Sequence, residues 1–405
     1  MGETRQDGQP RYVSQVILKV ASRCNLNCSY CYVYNMADST WKSRPALMTD
    51  DVFEAAIERI VHHCRATGQD RFRLGFHGGE PCLIGPDTFD RWCTKARAAL
   101  GESVQLRFLI QTNGTLLDSR WIDALRKHRV SAGISMDGPR EIHDAVRVDH
   151  RQQGSYEQVE RGLRLLQDGG VPYGVGCVIP LGADPLTVHR HFVGLRCNQI
   201  TYLMPHFTHD TIAPIRQRYG ATPCADFLIP IFDDWWFEST MELQVNDLRN
   251  VARVIMGGRS HSEAIGNDPP RYVFIEPDGE MEGLDNLRAC GNGLSQIKLN
   301  VRQSDFFDLG RAGTMHPAAI FEGMPLAQTC RDCVEGETCA GGHLAHRHSS
   351  ARGFDNPSVW CADLLKIFAH VRNRMGVSIE ETNERRRALA AERATSFDGN
   401  EVAAF

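Results

Sequence analysis

Residues 24–31 read Cys-Asn-Leu-Asn-Cys-Ser-Tyr-Cys, and three thiols at that spacing limit what the chain around them can be. The run before them, residues 15–21, is apolar and β-branched enough for a buried strand, so the cysteines stand on a tight loop at a strand's C-terminal end. Iron–sulfur clusters take Cys thiolates, and three ligands to a four-cornered cube leave one iron open to a small chelating molecule. Zinc needs a fourth ligand nearby, and no Cys or His follows Cys31 until His62.

Composition sets the frame. A chain of 405 residues is long enough for a barrel-sized domain and a smaller one. Its net charge of −5 gives no nucleic-acid footprint. No apolar stretch nears the ~20 residues of a membrane span, and the N-terminus lacks a signal peptide's basic and apolar regions, so a cytoplasmic protein is expected. Fourteen cysteines in that setting point to metal ligation rather than disulfides.

Strand and helix alternate after the loop. Thr49 is placed to cap a helix with Asp50 and Asp51 in its first turn. Phe72, Leu74 and Phe76 mark a second strand running into His77-Gly78-Gly79-Glu80-Pro81, and a helix begins near Pro86. Val104 to Ile110 form a third strand ending in Gln111-Thr112-Asn113-Gly114, and Asp118 starts the next helix. Residues 131–136 predict a fourth strand, 155–168 a helix, 172–180 a fifth strand, 185–196 a helix and 199–204 a sixth strand. Six such units predict an α/β fold, a partial (β/α)6 barrel with its chemistry at the strands' C-terminal ends. A doubly wound sheet is the competing architecture, but its G-x-G-x-x-G is absent after the first strand.

The C-x3-C-x2-C spacing, with an aromatic before the last Cys, resembles the signature of the radical S-adenosylmethionine (SAM) superfamily. The resemblance implies a SAM-bound [4Fe–4S] cluster on Cys24, Cys28 and Cys31, and cleavage of SAM to a 5′-deoxyadenosyl radical. Gly78, Gly79 and Glu80 resemble the motif that holds the SAM amino group. Ser135 and Arg147 resemble the pair gripping its carboxylate and ribose, and an Arg fork suits a carboxylate. Tyr30 resembles the adenine contact, and Asn113, ending the third strand, joins the expected cofactor-binding set.

Beyond the sixth strand, residues 223–239 predict an aromatic-rich helix, 245–256 another, and 271–284 a hairpin turning at Pro277-Asp278-Gly279. Cys330-x2-Cys333-x5-Cys339 and Cys361 would fill four corners of a second cube, and a structural zinc also fits four such thiols. Their order resembles the SPASM extension and implies one auxiliary [4Fe–4S] cluster. That family has another Cys where this chain has His343, and near the hairpin only Cys290 remains, so two clusters in all are expected. Six other cysteines, Cys64, Cys82, Cys93, Cys177, Cys197 and Cys224, read as small buried hydrophobes. The expected domains are a barrel at 13–220, a helical connector at 221–260, a SPASM-type domain at 261–375 and a charged tail at 376–405.

Four stretches, 24–35, 76–81, 341–347 and 353–361, together resemble the FxsB-type radical SAM/SPASM peptide maturases, over about residues 13–375. The resemblance implies modification of a ribosomal precursor peptide: a side-chain β-carbon loses hydrogen and bonds an aromatic ring, closing a cyclophane. An electron donor such as a ferredoxin or flavodoxin is implied, with the auxiliary cluster receiving the electron of ring closure. Asp285 and Glu282, near the hairpin, are the candidate catalytic acids that take the proton. A formylglycine-generating sulfatase maturase and a non-catalytic metal-binding module are the alternatives.

Overall fold

The computed structural model describes residues 12–238, 243–260, 262–266, 269–311 and 318–395. The chain divides into two compact units, the first of residues 1–136, 140–176 and 271–322, the second of 137–139, 177–270 and 323–405.

In the first unit the predicted alternation is present as β1 (Gln15–Ala21), α1 (Asp50–Thr67), β2 (Arg71–Gly78), α2 (Pro86–Leu100), β3 (Gln105–Thr112), α3 (Ser119–His128), β4 (Ser131–Ser135), α4 (Arg140–Asp144), α5 (Tyr156–Asp168) and β5 (Tyr173–Val178). Val16, Leu18, Val20, Leu74, Phe76, Phe108 and Ile110 stand at alternate positions of their strands and are all buried, so each strand turns one face into the core. Helix α1 buries Val52, Phe53, Ala56, Ile57 and Ile60 and stops at Gly68 in the left-handed region, φ 70°. Thr49 does not cap it as expected, because its hydroxyl bonds the Asp51 side chain instead of a backbone N–H. Asp118 does cap α3, accepting from Trp121 N at 2.9 Å. Helix α4, five residues long, is too short to show a period in the sequence. Strands β1 to β5 are parallel neighbours in chain order. That is the winding of a partial barrel, without the reversal that marks a doubly wound sheet.

In the second unit follow α6 (Pro185–Gly194), β6 (Gln199–Leu203), α7 (Ala213–Tyr219), α8 (Pro223–Asp233), β7 (Gln244–Val245) and α9 (Asn246–Ile255). The helix predicted over 223–239 runs past α8 as a single π-turn to Glu238, and Ser239 lies outside the described residues. Its aromatics are mostly core: Phe227, Phe232 and Trp235 are buried and Trp236 stacks on Phe232, while Phe237 is exposed. Two-residue β7, unforeseen, pairs parallel with β6.

The chain returns to the first unit as β8 (Tyr272–Ile275), β9 (Glu280–Glu282) and β10 (Gln296–Asn300). The hairpin turns where expected, with Gly279 at φ 87°. Unforeseen is that β8 lies parallel beside β1, from Gln15 opposite Tyr272 to Leu18 opposite Ile275. This unit's sheet therefore runs β10-β9-β8-β1-β2-β3-β4-β5. The last stretch, in the second unit, holds α10 (Gln328–Arg331), α11 (Gly336–Cys339), α12 (Cys361–Met375) and α13 (Ile379–Thr395). The span 261–375 is thus shared between the units, with 271–322 in the first. Among the described residues no helix is long and apolar enough to cross a membrane.

Candidate active site

At the C-terminal ends of β1 to β4 stand the residues the sequence singled out. The cluster loop is pinned by Asn27 N donating to Val148 O at 2.7 Å and Ser29 N to Val146 O at 2.9 Å. Asn35 Nδ2 donates to Cys28 O at 2.8 Å, closing the turn that carries the cysteines. Burial, with Glu80 and the other two thiols adding to it, pushes the Cys24 thiol up to about 12. Three thiolates therefore need a cation among them to gather in this loop, and the donor set fits a cluster.

The neighbouring motifs divide into those that frame the loop and those that face it. A Cβ on Gly79 would lie 1.9 Å from Tyr34 Oη and 2.3 Å from Arg23 O, so the end of β2 presses on the cluster loop itself. Glu80 is fully buried, accepting from Thr112 Oγ1 at 2.5 Å, Asn113 N at 2.8 Å and Cys82 N at 2.9 Å. Its carboxylate is committed to tying β2 to β3. Asn113 donates through Nδ2 to Asn25 Oδ1 at 2.9 Å and toward Cys24 Sγ at 3.8 Å. Ser135 Oγ accepts from Gln111 Nε2 at 3.0 Å. Arg147 reaches Cys28 Sγ at 3.9 Å, and its guanidinium lies 5.4 Å over the Tyr30 ring, so these two flank the loop together.

Behind them lies a buried charge cluster that sequence reasoning missed in part. Asp285 and Glu282, the candidate acids near the hairpin, are 2% and 0% exposed. Asp285 accepts from Lys19 Nζ, from Arg288 Nε at 2.8 Å and from Tyr32 Oη at 2.9 Å. Burial alone would raise its pKa, but Lys19 and Arg288 hold it well below the ordinary carboxylate range. Glu282 accepts from Arg44 and Arg288 at 2.6 Å each and from Ser295 Oγ at 2.9 Å, and Glu276 bonds Arg288 at 2.8 Å. Asp38 meets Arg288 Nη1 at 2.6 Å. Four buried carboxylates thus face three buried cations, Lys19, Arg44 and Arg288. Burial, then Glu276, push Glu282 up, while Arg288, Lys19 and Arg44 oppose the shift. The available signal was Lys19, a cation inside an otherwise apolar strand.

In the second unit Cys330 lies on α10, Cys333 just beyond it, Cys339 ends α11 and Cys361 opens α12. Burial, then Cys361, Cys330 and Cys333, push the Cys339 thiol up to about 12, so these four also need a metal partner and fit a second cluster. Gly336 is forced by contact, since a Cβ there would lie 2.3 Å from Cys330 O. Burial pushes Cys290, in the first unit, up to about 12. The six cysteines expected to be core are buried.

The Radical SAM superfamily model matches residues 18–189. A cysteine-type anaerobic sulfatase-maturating enzyme of Clostridium perfringens is 24% identical over 90% of this chain and 97% of its own length. A serine-type anaerobic sulfatase-maturating enzyme of Bacteroides thetaiotaomicron is 23% identical over 90% of both. The solved structure of native anSMEcpe with bound AdoMet and Cp18Cys peptide covers 92% of this chain and 99% of that one at a TM-score of 0.74 and 22% identity, and shows the shared fold. Relatives that match nearly end to end are sulfatase-maturating enzymes, which overturns the expectation of aromatic-ring crosslinking and cyclophane formation. The (β/α) frame, SAM and iron–sulfur clusters as cofactors, and a cysteine-rich C-terminal region of SPASM type stand as expected. Residues 18–189 are a radical SAM domain, and the chain is a radical SAM enzyme.

Proposed function

We propose that this enzyme oxidises the β-carbon of a cysteine or serine in a peptide or protein substrate, leaving the aldehyde of formylglycine. The observation that carries the reading is the match to a cysteine-type sulfatase-maturating enzyme over 97% of that relative's length. Cys24, Cys28 and Cys31 would hold the cluster, and SAM bound there supplies a 5′-deoxyadenosyl radical that takes a hydrogen atom from the β-carbon. Arg147 offers its fork to the SAM carboxylate, and Tyr30 its ring face beside that fork. Ser135 and Asn113 line the same strand ends, while Gly78, Gly79 and Glu80 set the shape of the loop. Cys330, Cys333, Cys339 and Cys361 would hold the auxiliary cluster.

Of the two candidate acids, Asp285 fits the proton acceptor. Glu282 has both oxygens taken by guanidinium groups, whereas Asp285 Oδ2 meets only a phenol among its partners above. Its low pKa makes it too weak a base for an ordinary thiol or alcohol. Once the adjacent carbon has lost a hydrogen atom, that S–H or O–H becomes far more acidic, and the carboxylate can take the proton. Lys19 and Arg288 keep it charged until then. The remaining electron would pass to the auxiliary cluster, leaving the aldehyde directly from serine and, from cysteine, a thioaldehyde that water hydrolyses with release of hydrogen sulfide. A reduced electron donor of ferredoxin or flavodoxin type is required, and fourteen cysteines with no disulfide among them suit the reducing cytoplasm.

The test is anaerobic incubation of the reconstituted enzyme with SAM, reductant and peptides bearing a central Cys or Ser. Expected are 5′-deoxyadenosine and a peptide aldehyde trapped by hydrazine reagents. SAM cleavage stimulated by such peptides with no hydrazine-reactive product would overturn the reading.

A further inference from the structure

Three imidazoles converge in the second unit on a point that neither the cluster nor the reaction above uses. His206 follows β6, while His343 and His346 sit on the turn after Cys339. One ring nitrogen from each lies within 4.8 Å of the others. The ring centroids are 5.2 Å apart for His206 and His343, 5.2 Å for His206 and His346, and 4.9 Å for His343 and His346. We propose that His206, His343 and His346 bind a divalent ion of the zinc class, with Glu263 orienting His343.

Four features support the site. The ion would draw the three nitrogens in by small side-chain rotations, since tetrahedral zinc takes imidazole nitrogens at about 2.0–2.1 Å. His346 is only 3% exposed, and its Nε2 is buried with no hydrogen-bond partner, which is costly for a polar atom unless something is bound there. Burial, then the other two rings, push His346 well below its ordinary value, so it is neutral and carries the lone pair a metal needs. Glu263 Oε1 lies 2.9 Å from His343 Nε2, the carboxylate–histidine pairing that fixes ring orientation and leaves Nδ1 for the ion.

The backbone is also prepared. Pro205 O accepts from Trp360 Nε1 at 3.0 Å, and His209 N donates to His348 O at 2.9 Å, fixing the loop that carries His206 against the turn that carries the other two. Gly266 N donates to Cys339 O at 3.0 Å, bringing the Glu263 segment to the same turn. Three imidazoles and no thiolate favour zinc over the soft iron–sulfur chemistry of the neighbouring cysteines, and three protein ligands leave a fourth corner for water.

The inference does not rest on the formylglycine reading, and its test needs no turnover. Cluster-loaded enzyme is supplied with zinc alone, desalted and analysed for metals and by zinc K-edge absorption. About one zinc per chain is expected, with a nitrogen/oxygen shell near 2.0–2.1 Å. His206→Ala, at the partly exposed ligand, should lose that zinc and keep its iron. No zinc in the wild type, zinc retained by His206→Ala, or a sulfur shell near 2.3 Å would each overturn it.

Discussion

Asp285 shows how much a single residue is asked to do. Its carboxylate neutralises Lys19 and Arg288, takes the Tyr32 hydroxyl, and in the proposed reaction receives the substrate proton. Asp285→Asn keeps its shape and removes its charge. We expect product formation to fall by about 10²–10⁴-fold, the usual worth of a positioned base, while SAM is still cleaved. Liquid-chromatographic counting of 5′-deoxyadenosine against trapped aldehyde checks this; a variant that keeps the two in wild-type ratio at wild-type rate would remove Asp285 from the chemistry. The cysteine loop was legible in the sequence because ligand spacing is local. Lys19 and Tyr32 were not, because each acquires meaning from a partner far along the chain: Tyr32 and Asp285 are 253 residues apart. The burial of Glu282 was hidden for the same reason: one of the two guanidinium groups that hold it comes from Arg44, 238 residues earlier.

Elements here are held at their ends by side chains from elsewhere. Asp363, on α12, accepts from Cys224 N at 2.7 Å and Ala225 N at 2.9 Å, capping α8 from another helix because the hydroxyl of its N-cap Thr222 turns to the Asp226 side chain instead of a backbone N–H. Removing it by Asp363→Ala should cost about 1–2 kcal/mol in denaturant unfolding, with Asp363→Asn recovering part of the loss. Equal loss in both variants would mean that the acid's charge, not its acceptor geometry, holds α8. On α1, His63 is 1% exposed and accepts from Val13 N at 3.0 Å, and burial pulls it down to about 4. Below about pH 6.5 the unfolded chain protonates this ring while the folded chain does not, so stability falls as pH drops from 6.5 toward 4. The loss by pH 5 is about 2 kcal/mol from this group. His63→Gln should flatten that part of the melting-temperature curve; an unchanged slope would exclude His63 as its source. The strand–helix alternation was readable from periodicity, whereas β7, at two residues, and the β8–β1 pairing leave no periodic trace.

For the whole molecule the quantity that integrates these sites is its iron. Two cubes predict about eight irons per reconstituted chain, and replacing Cys24, Cys28 and Cys31 with Ala should leave about four and abolish SAM cleavage. Iron and sulfide assay decides it: about twelve irons in the wild type would show a third cluster, one that recruits Cys290. The pairing of β1 with β8 also bears on how such a chain comes into being. Lys19 leaves the ribosome long before Asp285, which lies 266 residues downstream. At roughly 5–20 residues per second, that is a wait of some 13–50 s during which the lysine has no counterion and one edge of β1 has no neighbour. Throughout this interval the nascent sheet offers an unpaired strand edge, the surface on which chaperones act and aggregates start. Yield in a cell should therefore depend on the speed of translation between residues 177 and 271, and synonymous changes there should alter how much soluble enzyme is recovered without altering a single atom of it.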